Sequence, residues 1–133
     1  MSEKLIDRIP ENLRYLLEDE TRAYAFLATL MKDGSPQLTP IWFIMEDEQI
    51  TFNSAKGRVK DINLRRDARL SLVIIDFDKP LEYLQIRGRV TEITEEGAEE
   101  HINSLGQKYQ GRDWEIAEGQ VRLVYRVQAD SIS

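Results

Sequence analysis

The segment "AYAFLATLMK", residues 23 to 32, constrains the fold most. It reads as a strand that is apolar on both alternating faces. Tyr24, Phe26, Ala28 and Leu30 form one set, and Ala25, Leu27 and Met31 form the other. Side chains of a strand alternate between its two faces, so such a strand must be covered on both. In a chain of 133 residues the second cover is either a barrel wall plus helices or another subunit. The length fits one domain, residues 1–133, which buries roughly two thirds of its unfolded surface around one core.

Asp33-Gly34 is a hairpin turn signal between two apolar runs, and "EDEQ" at 46 to 49 is a second turn. Strands are therefore predicted at about 23 to 32, 36 to 45 and 49 to 54. "RLSLVIIDF", 69 to 77, is a fourth strand, again apolar on both faces. "EYLQIRGRVTEI", 82 to 93, is a long alternating strand with a bulge at Gly88, and "QVRLVYRVQADSIS" is the last strand. A helix is predicted over 10 to 20, where Pro10 suits the first turn and Ile9, Leu13, Leu16 and Leu17 share a face. A short helix follows at 57 to 66. A third is capped by Thr94, has Glu95 and Glu96 in its first turn and runs to about Tyr109, and "RDWEIA" forms another short one. Six strands joined mostly by hairpins, with few helices, predict a small, mainly β (α+β) antiparallel barrel.

Several function classes are excluded or weakened. The chain has no cysteine, which removes disulfides, a thiolate nucleophile and any Cys-ligated metal. It has no apolar run of about 18 residues and its start carries no apolar signal-peptide core, so a cytoplasmic protein without a membrane partner is expected. A net charge of −6 argues against general nucleic-acid affinity. The single histidine, His101, lies in the polar run "EEGAEEHINSLGQK" and reads as an exposed surface residue. No His/Cys set exists to ligate a metal, no serine sits in a G-x-S-x-G elbow, and neither G-x-G-x-x-G nor G-x-x-x-x-G-K-[ST] occurs. The carboxylates cluster at helix ends and turns. With no catalytic side chain evident, the chemistry of an enzyme of this sequence belongs to a bound cofactor.

One stretch stands out by its charge. Between Lys56 and Arg69 six basic residues face two acidic ones, which makes the window +4 and leaves −10 for the rest of the −6 total. A strand end followed by Ser54, Gly57 and a helix start is anion-binding geometry, with Arg58 and Lys60 as donors. The same spacing also suits a solvated basic helix that pairs with acidic surface elsewhere.

"GSPQLTPIWF", "ITFNSAKGRVKDINLRRDARLSLVIID" and "YLQIRGRVTEI" together resemble the pyridoxamine 5'-phosphate oxidase-like proteins, especially the deazaflavin (coenzyme F-420)-dependent oxidoreductase branch. The likeness covers roughly residues 20 to 130, and the R-x-K-x-x-N-L-x-x-D-x-R run from Arg58 to Arg69 is its most specific part. It implies a six-stranded antiparallel split β-barrel with peripheral helices. It also implies a homodimer with the cofactor, FMN or coenzyme F-420, at the subunit interface. Arg58 and Lys60 match the family's phosphate-binding pair, and Asn63 falls on the motif's Asn. Gln37, Thr39, Pro40, Ile41 and Trp42 match the strand lining the ring, with Trp42 either a ring contact or core. Asn53 and Ser54 match the strand end beside ring and phosphate. Arg65, Arg66 and Arg69 either extend a basic track for the long anionic tail of coenzyme F-420 or face solvent. The end "QADSIS" carries no equivalent of the basic substrate-binding residues of the classical oxidase, so that specific activity is not expected. The implied function is hydride transfer between the cofactor and a small organic substrate. The alternative is a non-catalytic carrier or sensor of a flavin, deazaflavin or tetrapyrrole.

Overall fold

The computed structural model describes residues 3–133. Its strands are β1 (Tyr24–Leu30), β2 (Pro36–Ile41), β3 (Phe43–Glu46), β4 (Gln49–Ala55), β5 (Arg69–Ile75), β6 (Tyr83–Thr94) and β7 (Arg122–Ile132), and its helices are α1 (Val59–Arg66) and α2 (Ala98–Gln110). All pairings are antiparallel, in the order β2-β1-β5-β6-β7-β4-β3. β2 and β3 stand at opposite ends of that order, yet only Trp42 separates them in the chain. They are one bent strand, paired with β1 in its first half and β4 in its second, and the bend joins the two ends of the curled sheet. This is the expected split barrel. Its count is seven rather than six because the predicted strand 36 to 45 breaks at Trp42.

The barrel interior holds Leu27, Phe43, Phe52, Leu72, Ile74, Leu84, Ile86 and Tyr125, each fully buried. Phe52 and Tyr125 are register partners and stack with centroids 4.7 Å apart. Burying each such side chain contributes about 1.5–3 kcal/mol. β1 alternates as its sequence predicts: Ala25, Leu27 and Thr29 are buried, while Tyr24, Phe26, Ala28 and Leu30 are only half-buried on the outside. α2 covers β4 and β7 with Ala98, Ile102 and Leu105.

Three further expected elements differ. Residues 10 to 20 form 3-10 turns, Glu11–Leu17 and Asp19–Thr21, preceded by Leu5–Arg8, rather than an α-helix. Leu16 and Leu17 are still buried there, so the apolar spacing marked the buried face but not the helix type. α2 begins at Ala98 behind Gly97 rather than after Thr94, because Thr94 still pairs with Val124 at the end of β6. Its hydroxyl accepts the Glu96 N–H in a local turn. "RDWEIA" is not helical. The turn at 46 to 49 is confirmed, with Asp47 and Glu48 both at positive φ (51° and 65°) as a two-residue hairpin of this hand requires.

The bulge expected at Gly88 is present, as a register shift between Arg87 and Gly88 against β7. A Cβ at position 88 stands 2.0 Å from the Gln128 carbonyl oxygen, so only glycine lets β7 approach. Gly88→Ala is expected to cost about 2 kcal/mol through strand displacement. A urea midpoint that moves by less than about 0.5 kcal/mol equivalent would show that the bulge yields freely.

Candidate functional site

An open cleft of about 250 Å³ lies where the ends of several elements meet. Pro40, Ile41 and Trp42 enter from the β2–β3 bend, Asn53 and Ser54 from the end of β4, and Arg58 and Lys60 from the start of α1. Ile102 and Leu105 come from α2, Trp114 from the segment after it, Tyr24 from β1 and Arg122 from β7. Seven of the ten expected binding residues therefore converge. Gln37, Thr39 and Asn63 do not line this cleft.

Asn63 is buried and fastens α1 to the barrel: its Nδ2 donates to Thr29 Oγ1 (3.0 Å), and Thr29 donates to Gln37 Oε1 (3.1 Å). Thr39 keeps a buried hydroxyl with no hydrogen-bond partner among the described residues.

The apolar wall is aromatic. Trp42 stacks on Tyr109 (centroids 5.0 Å, planes 8° apart) and meets Trp114 edge-on at 5.5 Å. Trp42 is thus half-buried, with one face committed to Tyr109 and an edge in the cleft. Its position is set by α2. The Tyr109 hydroxyl accepts the Phe43 N–H (3.3 Å) and donates to the Ala23 carbonyl (2.5 Å), while Lys108 Nζ donates to the Phe43 carbonyl (2.9 Å). These bonds satisfy backbone groups at the strand break. Burial pushes the Lys108 ammonium down to about 8, partly offset by Asp19 and Glu20.

The other end of the cleft is cationic. Gly57, at φ +91°, turns the chain from β4 into α1, and its N–H donates to Asp61 Oδ2 (2.9 Å). Asp61 also accepts from Tyr125 Oη (2.7 Å) and Arg65 Nε (3.0 Å). Burial opposes its ionised form, but the bonds from Gly57, Tyr125 and Arg65 outweigh that and hold the carboxyl below the usual range. The loop is thereby closed from behind, and α1 starts at Arg58 with no side-chain cap. Burial, then the charges of Arg58 and Arg122, lower the Lys60 ammonium. Ser54 Oγ is buried beside them with no partner among the described residues.

The structure divides the basic stretch in two. Arg65 pairs with Asp61, Arg69 with Asp67 at 2.7 Å, and Arg66 donates to the Leu30 carbonyl and Asn63 Oδ1. These three hold the fold locally. Arg58 and Lys60 have no carboxylate partner among the described residues and face the cleft.

Arg122 and His101 were missed. Arg122 Nε donates to Asn53 Oδ1 (2.9 Å), and Asn53 Nδ2 donates to the Ala98 carbonyl and to His101 Nδ1 (3.1 Å). His101 Nε2 lies 2.8 Å from Thr51 Oγ1, whose own proton goes to the Ile44 carbonyl. Thr51 therefore accepts, which assigns the hydrogen to Nε2 and leaves Nδ1 an acceptor. His101 is 2% exposed rather than on the surface, because it falls on the face of α2 that covers β4 and β7. The signal available was its spacing from Ile102 and Leu105.

Burial, then Arg126 and Arg122, push the His101 imidazole down to about 4 from 6.5. A base whose folded value is depressed contributes stability that is complete above its unfolded value. That stability is lost as pH falls from 6.5 toward about 4. The loss from His101 is on the order of 3 kcal/mol. Urea midpoints at pH 7 and pH 4.5 should fall further apart in the wild type than in His101→Gln, and equal spans in the two proteins would remove His101 from the account.

The profile of the family described as "Pyridoxamine 5'-phosphate oxidase" matches residues 9–131. The chain belongs to this family. Among solved structures, one called "F420 Reductase" is 30% identical over 94% of this chain and 98% of its own, with a TM-score of 0.83. The conserved hypothetical protein Rv2991 from Mycobacterium tuberculosis is 24% identical over 93% and 82% of the two chains, with a TM-score of 0.72, and shares the fold. No curated protein sequence matches the chain. Family and likeness support a flavin-binding protein of oxidoreductase type. No helix among the described residues is long and apolar enough to cross a membrane.

Proposed function

We propose that the chain is a flavin- or deazaflavin-dependent oxidoreductase, using coenzyme F-420 or FMN to move hydride to or from a small organic substrate. One observation carries this: a single cleft joins an aromatic wall at one end to unpaired cations and an unpartnered buried hydroxyl at the other. A flat ring with an anionic tail matches both ends. When bound, the cofactor supplies the hydride chemistry, which the side chains lack. Arg58, Lys60 and Ser54 Oγ would hold the tail, and Pro40, Ile41 and Trp42 the ring. Trp42 is fixed by Tyr109 and so orients what lies against it, while Trp114 keeps water from that edge. His101 is committed to Thr51 and Asn53 and carries no proton to the cleft.

The same reading makes residues 1–133 one cofactor-binding domain of a cytoplasmic homodimer, with the cofactor at the subunit interface. The outer face of β2, β1, β5 and β6 supports the dimer. Leu38 is 66% and Tyr83 50% exposed there, flanked by half-buried Phe26, Val73 and Ile75. Such a continuous apolar patch marks an interaction surface.

The test is a titration of apo-protein with FMN and with coenzyme F-420, followed by tryptophan fluorescence. Both tryptophans of the chain line the cleft, so occupancy should quench them. Binding of neither cofactor ends this reading. Binding without acceleration of any acceptor's reduction over the free-cofactor rate favours a carrier.

A further inference from the structure

We propose that Arg122 is the third cation of the anion site, so that the cleft is built for a phosphate-type ligand carrying more than one negative charge within reach of Arg58, Lys60 and Arg122. The proposal rests on the reading of this cleft as a ligand site and deepens it by naming the charge the ligand brings.

Four observations support it. Arg122 is 7% exposed yet lines the cleft with Arg58 and Lys60. Its register partner is Ala55, at the end of the strand that leads into the Gly57 turn, so β7 delivers it beside the loop. It forms no ion pair among the described residues. Its Nε and Nη1 are held by neutral acceptors, Asn53 Oδ1 at 2.9 Å and Gln120 Oε1 at 3.3 Å, and Nη2 has no acceptor among them. The nearly full burial of a guanidinium without a counter-charge is costly unless a charge arrives from outside.

This is an acidic chain, and Arg65, Arg69, Arg89, Lys108 and Arg126 all have carboxylates. In this cleft three cations without carboxylate partners among the described residues lie together: besides burial, Lys60 feels both arginines and Arg122 feels Arg58. Asp61, the acid nearest in sequence, is turned away and spent on Gly57, Tyr125 and Arg65. Ser54 Oγ, 1% exposed and without a partner among the described residues, adds a hydrogen bond for an oxyanion. Asn53 is the positioning residue: its carbonyl takes Arg122 while its amide is anchored on Ala98 and His101.

Two ligands share this chemistry. One is a phosphate monoester dianion, as in FMN. The other is a phosphodiester with a neighbouring carboxylate, as in coenzyme F-420. The experiment measures Kd for FMN, coenzyme F-420 and inorganic phosphate at two salt concentrations, with wild type, Arg122→Gln, Arg122→Lys and the Arg58→Ala/Lys60→Ala pair. Arg122→Gln should weaken whichever cofactor binds by about 10- to 100-fold and flatten its salt dependence. Arg122→Lys should lose less affinity and keep the salt slope, which a purely structural role for Arg122 would not predict. If Arg122→Gln does not fold, Arg122→Lys decides: an unchanged Kd overturns the proposal, since the bidentate fork is lost. If the Arg58/Lys60 pair abolishes binding while Arg122→Gln binds like wild type, Arg122 lies outside the site and the cofactor reading stands. If wild type binds neither cofactor, that reading fails. Inorganic phosphate then decides alone: binding that weakens in Arg122→Gln supports the three-cation site, and absent or unchanged binding overturns it.

Discussion

Replacing Arg58 and Lys60 together with alanine is expected to weaken cofactor binding by about 10²- to 10⁴-fold while leaving the apo-protein folded. Hydrogen bonds to a charged group are worth about 1.5–3 kcal/mol each, and each 1.4 kcal/mol is roughly tenfold in affinity. Stability should not suffer, because neither side chain has an ion pair or side-chain hydrogen bond among the described residues. Removing them also relieves repulsion on Arg122, so the apo thermal midpoint should hold or rise slightly. Affinity without a stability penalty is the signature of a binding residue. The two measurements, ligand titration and thermal melt, must be made on the same preparation. A large drop in midpoint with unchanged affinity would return both residues to the structural side of the ledger.

A large stability effect is expected at Asp61. Asp61→Ala strands the Tyr125 hydroxyl inside the barrel and frees the Gly57 N–H, while the half-exposed Arg65 is easily hydrated. The buried Tyr125 donor without an acceptor, together with the lost Gly57 bond, costs on the order of 2 kcal/mol, or roughly 8 °C in a domain of this size. Tyr125→Phe removes one donor and leaves Asp61 two others, so it should cost only about 1 kcal/mol. The Asp61 carboxyl titrates below its usual value in the fold. Its contribution is therefore full above the unfolded value of 3.8 and is lost as pH falls through the folded one. Asp61→Ala should also loosen the loop that presents Arg58. Equal melting points for Asp61→Ala and Tyr125→Phe would show that the carboxylate does not organise this corner.

Local signals were readable and non-local ones were not. The alternation in β1 and β6 and the turn at Asp33-Gly34 identified most strands, because strand period and turn chemistry are properties of neighbouring residues. That Arg58 and Lys60 lie beside the end of β4 was legible for the same reason: they sit one turn from that strand. Arg122 is over sixty positions downstream of Arg58, and only the β4–β7 pairing makes them neighbours. Its trace in the sequence is slight, an arginine opening a strand whose next three residues, Leu123, Val124 and Tyr125, are buried. Gln37 and Asn63 show the opposite limit. The family resemblance places both in the site, but in the structure each is hydrogen-bonded to the Thr29 hydroxyl, which spacing cannot reveal. The break at Trp42 was invisible because its residues keep a strand's composition across it.

That break has a further consequence. A sheet normally ends in two strands with unpaired backbone, each a template on which another chain can add a strand. Here one bent strand forms both ends, so the free edge of β2 and the free edge of β3 run into a single bend at residue 42. The Tyr109 hydroxyl and the Lys108 ammonium occupy Phe43 there. The last turn of α2 thus caps the bend, the one point at which the two free edges of the sheet meet.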